Sequence, residues 1–190
     1  MRPGPIMLAI WIAWAISWLV AAAWSDDTQS QAPLATEILY RILMLIGALV
    51  MVVPAHGYEG RLRLWHIGWW GAWVCVALIA AGITVAWWAR VHLGRMWSAR
   101  VTRKVNHTVV ESGPYAVVRH PIYSGLLLSL IATAAAKGTV LGLAGLLFTL
   151  IGMWMKARLE ERWLAQELGE AAYGDYRHRV PMLLPFGPTD

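Results

Sequence analysis

Residues 65–88, WHIGWWGAWVCVALIAAGITVAWW, constrain this chain most: twenty-four positions without one Asp, Glu, Lys or Arg. A helix of that length rises about 36 Å, enough to cross the ~30 Å hydrocarbon core of a bilayer. Trp65, Trp69 and Trp70 mark one end and Trp87 and Trp88 the other, like the aromatic belts at the two membrane interfaces. Residues 6–24, 38–53, 122–136 and 139–155 form four further apolar runs. With 58% hydrophobic residues among 190, the chain has too small a polar shell for a soluble domain of this size. These runs predict an all-α integral membrane protein with five transmembrane helices.

The last two runs are separated only by Lys137-Gly138. That spacing predicts a tight helical hairpin, with Ala132, Ala135, Gly138, Gly142 and Gly145 letting its two backbones approach closely. The first run follows a single charge, Arg2, and ends in Ala-Ala-Ala-Trp-Ser, an outline shared with signal peptides. Trp11, Trp14 and Trp18, at i, i+3 and i+7, favour a retained helix with a packing face. Cys75 is the one cysteine, so no internal disulfide or cysteine-based metal site is possible; it reads as a small buried hydrophobe.

Loop charge sets the orientation. With the N-terminus outside, Arg41, Arg90, Arg95, Arg100, Arg103, Lys104, Arg119, Lys156, Arg158, Arg162, Arg177 and Arg179 lie on the cytoplasmic side. Only Arg2, Arg61, Arg63 and Lys137 lie outside, the asymmetry that topology demands. The net charge of +5 thus follows from membrane orientation, and without a soluble basic domain it does not imply nucleic-acid binding. Residues 90–121 and 156–190, the two polar stretches, are expected on the same cytoplasmic face. The chain divides accordingly into three N-terminal spans, residues 1–89, and a C-terminal region, residues 90–190.

That region holds an unusual set of side chains. His107, Tyr115, Arg119, His120 and Tyr123 precede or open the fourth apolar run; Lys156, Arg158, Glu160 and Glu161 follow the fifth. Beyond residue 155 a helix is expected to leave the membrane, with Leu159, Trp163, Leu164 and Leu168 as an apolar stripe and Gly169 as its end. A second short helix carries Tyr173 and Tyr176 before Pro181 and Pro185. Each feature has a plain structural alternative: a Gly113-Pro114 turn, a snorkelling Arg119, a solvated His107, glutamates paired with Arg158 or Arg162, and helices lying on lipid headgroups. Together they suit a zwitterion such as a methionine moiety. Pro121 opens a helix whose N–H groups favour a carboxylate, and a buried glutamate answers an ammonium.

The segments HTVVESGPYAVVRHPIYSG (107–125) and EERWLAQELGEAAYGDYRHRVPMLLP (160–185) resemble the membrane-embedded isoprenylcysteine carboxyl methyltransferase family. The first follows its His-x-Leu-Val-x-x-Gly-x-Tyr-x-x-x-Arg-His-Pro-x-Tyr-x-Gly pattern, with Val109 in place of Leu; the second supplies its Glu-Glu pair and tyrosine-bearing tail. The resemblance covers roughly residues 90–186. It implies an all-helical methyltransferase whose C-terminal half forms a cytoplasmic pocket for S-adenosyl-L-methionine, and the Gly-x-Gly-x-x-Gly of soluble dinucleotide folds is absent. The implied cofactor contacts are His107, Thr108, Val109, Val110, Tyr115, His120, Pro121, Ile122, Tyr123 and one of the two glutamates, with Glu160 preferred. Arg119 and Glu161 are the implied catalytic groups, with Arg158 positioning the acceptor and Lys156 its rival. No metal is implied.

Methyl transfer from a sulfonium asks a protein mainly for positioning and water exclusion. A carboxylate acceptor is already ionised and needs no base; an amine or thiol needs one, from His107 or a glutamate. The expected acceptor is a lipophilic, prenylcysteine-like carboxylate reached through the membrane, with a phospholipid amine or a thiol as rivals. A sterol-type reductase using NADPH and a haem binder using His92, His107 or His120 are the readings outside methyl transfer.

Overall fold

The computed structural model describes residues 2–24, 28–31, 34–52, 62–97, 102–104 and 109–189. They form six α-helices: α1 (Pro3–Ala22), α2 (Leu34–Val52), α3 (Trp69–Leu93), α4 (Pro121–Lys137), α5 (Val140–Leu168) and α6 (Glu170–Arg179). One short antiparallel ribbon joins β1 (Thr28–Gln31) to β2 (Thr102–Lys104). Helices α1, α2, α3 and α5 are each long and apolar enough to cross a membrane; α4 is a shorter apolar helix of 17 residues. Large side chains stand outward on these helices, Leu19 at 75% and Trp70 at 81% exposure. Such a surface is stable only when lipid covers it.

Helix ends follow local chemistry. Pro121 occupies the first turn of α4, where a missing N–H costs nothing. Gly138, at φ 58°, ends that helix in the left-handed conformation a glycine adopts without strain. The Thr139 hydroxyl then caps α5 by accepting from the Gly142 N–H at 3.1 Å. No breaker interrupts α5 at the expected membrane edge, so it runs on for 29 residues, until Gly169 at φ 88° lets the chain turn into α6.

The tightest helix contacts correct the expectation for the hairpin. Helices α4 and α5 are consecutive, but their small residues serve other partners. A Cβ on Gly145 would lie 2.8 Å from the Gly47 carbonyl, and one on Gly152 2.9 Å from the Tyr40 carbonyl, so α5 packs closely on α2. A Cβ on Gly125 would lie 2.8 Å from the Ala86 amide nitrogen, so α4 packs closely on α3. Ala132 belongs to the same interface, in an apolar cluster with Cys75 and Ile79. Gly138 and Gly142 shape the turn between α4 and α5. Small residues permit a close approach without naming the partner.

The tryptophan face of α1 packs as expected. The Trp11 indole donates to the Thr133 hydroxyl at 3.1 Å, and Trp18 meets Trp87 and Trp97 edge to face at 5.4 and 5.5 Å. At the C-terminal end of α3, Arg90 is fully buried. Its guanidinium donates to the carbonyls of Gly94, Ala21 and Trp24, each at 2.7 Å, and lies over the Trp97 ring at 4.5 Å. Arg90 therefore ties α1 to α3. The opposite end of the bundle is closed by Lys137, which donates to the Met51 carbonyl, and by Trp65, whose indole donates to the Ala135 carbonyl at 2.8 Å. Residues 109–123 and 156–183 consequently share one end of the helix bundle.

Candidate active site

The polar end is assembled from a loop, two helix ends and the C-terminal tail. The 3-10 turn Gly113–Ala116 buries Tyr115, whose hydroxyl donates to the Ala89 carbonyl at 3.4 Å and whose carbonyl accepts from the Tyr176 hydroxyl at 2.7 Å. The tail runs beside the start of α4. The backbone N–H groups of Arg119 and His120 donate to the carbonyls of Pro181 and Met182 at 2.9 and 3.0 Å, and the Ser124 hydroxyl donates to the Leu183 carbonyl. Tyr173, Tyr176, Ala165 and Val180 form a small core beneath, with Val109 packed on it. Burial pushes the Tyr115, Tyr173 and Tyr176 hydroxyls well above the ordinary phenol range, so all three stay protonated donors at physiological pH.

Within this frame two adjacent glutamates enter different surroundings, because successive helical residues point about 100° apart. Glu161 is buried; its Oε1 accepts from Arg119 Nε at 2.7 Å and lies 3.3 Å from His120 Nε2. Arg119, equally buried, also donates to the carbonyls of Arg177 and Val180 at 2.8 and 2.7 Å. This clamp fastens the loop, α5 and the end of α6 together. Glu160 is the more open of the two, with its side chain 21% exposed. Its Oε1 accepts from the Tyr123 hydroxyl at 2.8 Å and lies 3.6 Å from Lys156 Nζ, and its Oε2 is 3.6 Å from His120 Nδ1. The His120 and Tyr123 rings stack at 5.4 Å, and the Lys156 ammonium lies 5.6 Å from the centroid of the Tyr123 ring.

Of the residues singled out in the sequence, Arg119, His120, Pro121, Tyr123, Glu160 and Glu161 converge here, with Tyr115 one layer behind. Ile122 lies in the apolar core with Ala86 and Met153, and Val110 packs against that core. His107 and Thr108 lie outside the described residues. Lys156, not Arg158, reaches Glu160; the Arg158 guanidinium lies over Trp154 at 5.7 Å. That choice follows helix phase, since Lys156 is i−4 to Glu160 while Arg158 is two residues away on another face. Sequence reasoning missed Glu37 and Tyr40 on α2, both buried. The available signal was an acidic residue, Glu37, directly ahead of the apolar run 38–53.

Residues 74–166, which hold most of α3, all of α4 and the glutamate pair of α5, match the profile of the isoprenylcysteine carboxyl methyltransferase (ICMT) family. The match covers 93 of the chain's 190 residues, and it is what this chain is similar to. Among relatives, protein-S-isoprenylcysteine O-methyltransferase B of Arabidopsis thaliana is 27% identical over 153 residues, 77% of this chain and 74% of the relative. The cobalt-zinc-cadmium resistance protein CzcN of Cupriavidus metallidurans is 33% identical over 122 residues, 63% of this chain and 55% of the relative. Methanethiol S-methyltransferase 2 of Bradyrhizobium diazoefficiens is 44% identical over 73 residues, 37% of this chain and 26% of the relative. The match thus spans little more than half of CzcN and about a quarter of the methanethiol enzyme. The matching segment contains both the 109–125 loop and the two glutamates, which the fold brings together at one end of the bundle.

Proposed function

We propose that this chain is an integral membrane methyltransferase that uses S-adenosyl-L-methionine and methylates the carboxylate of a lipophilic, prenylcysteine-like acceptor. The observation that carries this reading is the group Glu160, Tyr123, His120 and Lys156, partly open, at the end of an apolar bundle within the family-matching segment. Five spans fit the same picture: α4, though short, packs along α3 and runs from the polar end to the end closed by Lys137. Its start and the glutamate pair then face the cytoplasm by loop charge, and residues 90–190 supply most of the cofactor pocket.

The residues present fit a cationic, zwitterionic cofactor. Glu160 offers a reachable carboxylate, and Glu161 Oε2 is buried without a hydrogen-bond partner, an acceptor lacking its donor. In this reading Glu160 holds the ammonium, the stacked His120 and Tyr123 rings form a wall, and His107, Thr108, Val109, Val110, Tyr115, Pro121 and Ile122 line or support the remainder. When bound, the cofactor supplies a sulfonium-activated methyl group. Arg119 and Glu161 hold the loop that positions the reacting groups, and Lys156 or Arg158 orients the acceptor. A carboxylate acceptor arrives ionised, so the chain need only place it and exclude water. The likeness to a methanethiol S-methyltransferase favours a thiol as the second candidate acceptor.

Tritiated-methyl transfer from S-adenosylmethionine to S-farnesyl-N-acetylcysteine, phosphatidylethanolamine and methanethiol tests the reading and ranks the acceptors. Label is expected on the farnesylcysteine carboxylate. Absence of transfer to all three by folded protein overturns the proposal.

A further inference from the structure

Helix α2 lies outside the segment that matches the family, and the division at residue 89 places it outside the catalytic region. Its buried face nevertheless points at the site. Glu37, Tyr40, Gly47 and Met51 are buried at i, i+3, i+10 and i+14, with Met44 partly buried between them, while Ile38, Leu39 and Ile42 stand 46–55% exposed on the lipid side. This stripe meets α5 in antiparallel register: Gly47 against Gly145, and Tyr40 and Met44 against Gly152. One and two turns further along α5 come Lys156 and Glu160. Helical side chains lean toward their own N-terminus, which on α2 is the direction of Lys156 and Glu160. Met44, one turn along the same stripe, packs against the apolar cluster that contains Tyr123 and Met153, so the stripe borders the site.

The Tyr40 hydroxyl is buried and makes no hydrogen bond. A phenol left so inside an apolar seam costs stability unless it has a use. The charged groups nearby are Glu37, which is paired with Arg41 at 2.6 Å, and the Lys156–Glu160 pair. The Arg41 guanidinium also lies 6.0 Å from the centroid of the Tyr40 ring.

We propose that the Tyr40 hydroxyl binds the methyl acceptor, donating to the carboxylate of the lipophilic substrate. This rests on the methyltransferase reading and gives α2 a part in acceptor specificity that the family segment does not contain.

The test is Tyr40→Phe in the full-length protein, assayed with S-farnesyl-N-acetylcysteine and S-adenosylmethionine beside the wild type. The acceptor KM rises about tenfold, the loss expected for a hydrogen bond to a charged group, with S-adenosylmethionine affinity unchanged. The unfolding temperature stays level or rises, because the lost hydroxyl had no partner. A merely structural role would instead lower that temperature and leave KM alone. An unchanged acceptor KM in active protein overturns the inference and spares the methyltransferase reading; an inactive wild type overturns both.

Discussion

Glu160 and Glu161 are neighbours in sequence and opposites in environment. Glu161 sits in a closed clamp, where Arg119 answers one carboxylate oxygen and two tail carbonyls at once. Glu160 sits in an open group, where a phenol, an ammonium and an imidazole approach one carboxylate that solvent still reaches. The difference separates holding from binding. A buried ion pair that also donates to two backbone carbonyls adds rigidity to the loop it closes, whereas a partly exposed carboxylate with adaptable neighbours can accept a ligand. The clamp fixes the position of His120, and His120 touches both glutamates, so the open group inherits its geometry from the closed one.

Breaking the clamp gives the largest expected effect. Arg119→Ala strands Glu161 in a buried site and removes the donors of the Arg177 and Val180 carbonyls; about 3–5 kcal/mol of stability is lost, as for other broken buried pairs. Thermal unfolding in detergent measures this, and limited proteolysis should cut residues 173–183 first, because the Arg119 guanidinium supplies two of the bonds that hold them. The double change Arg119→Met with Glu161→Leu restores most of that stability, since neither charge is then left alone. Glu160→Gln tests the other member. It keeps the shape and the bond from Tyr123, so the unfolding temperature is expected to hold, while S-adenosylmethionine affinity in a direct binding titration falls about tenfold or more from loss of a charge-assisted bond. If the two variants exchanged these phenotypes, the division between holding and binding would be reversed.

Much of this architecture was legible before any coordinates. The apolar runs located the spanning helices to within a few residues, since nothing but a lipid-facing helix tolerates them. The tryptophans of α1 announced their own packing face, and Gly169 announced the break before α6. The convergence of Arg119, His120, Tyr123 and the glutamate pair followed from motif resemblance and loop charge together. Partner choice was not legible. Gly145 and Gly125 advertise close approach, but which helix approaches depends on the three-dimensional order of the bundle, and here sequence neighbours α4 and α5 leave their glycines to α2 and α3. The ribbon of β1 and β2 was equally hidden, being short, polar and formed between segments seventy residues apart. Arg90 was counted as a rim charge. It is instead buried, because the carbonyls at the end of α1 come to it, and no pattern local to residue 90 encodes them.

The smallest effect sharpens the comparison from a third place. Arg179 and Glu111 form an ion pair whose length, 2.7 Å, equals that between Arg119 and Glu161. Both pairs join the loop preceding α4 to a distant part of the chain. Distance alone would rank them equal. Their side chains, however, are 59% and 38% exposed, against 1% and 3% in the clamp. At the surface, water solvates both charges almost as well as they solvate each other, salt screens what remains, and holding two long side chains together costs entropy. Arg179→Ala is therefore expected to leave the unfolding temperature unchanged, at low ionic strength as at high, while Arg119→Ala collapses it. A marked loss from Arg179→Ala would mean that the loop is held from its exposed side, and the clamp would lose its place as the element on which the site is built.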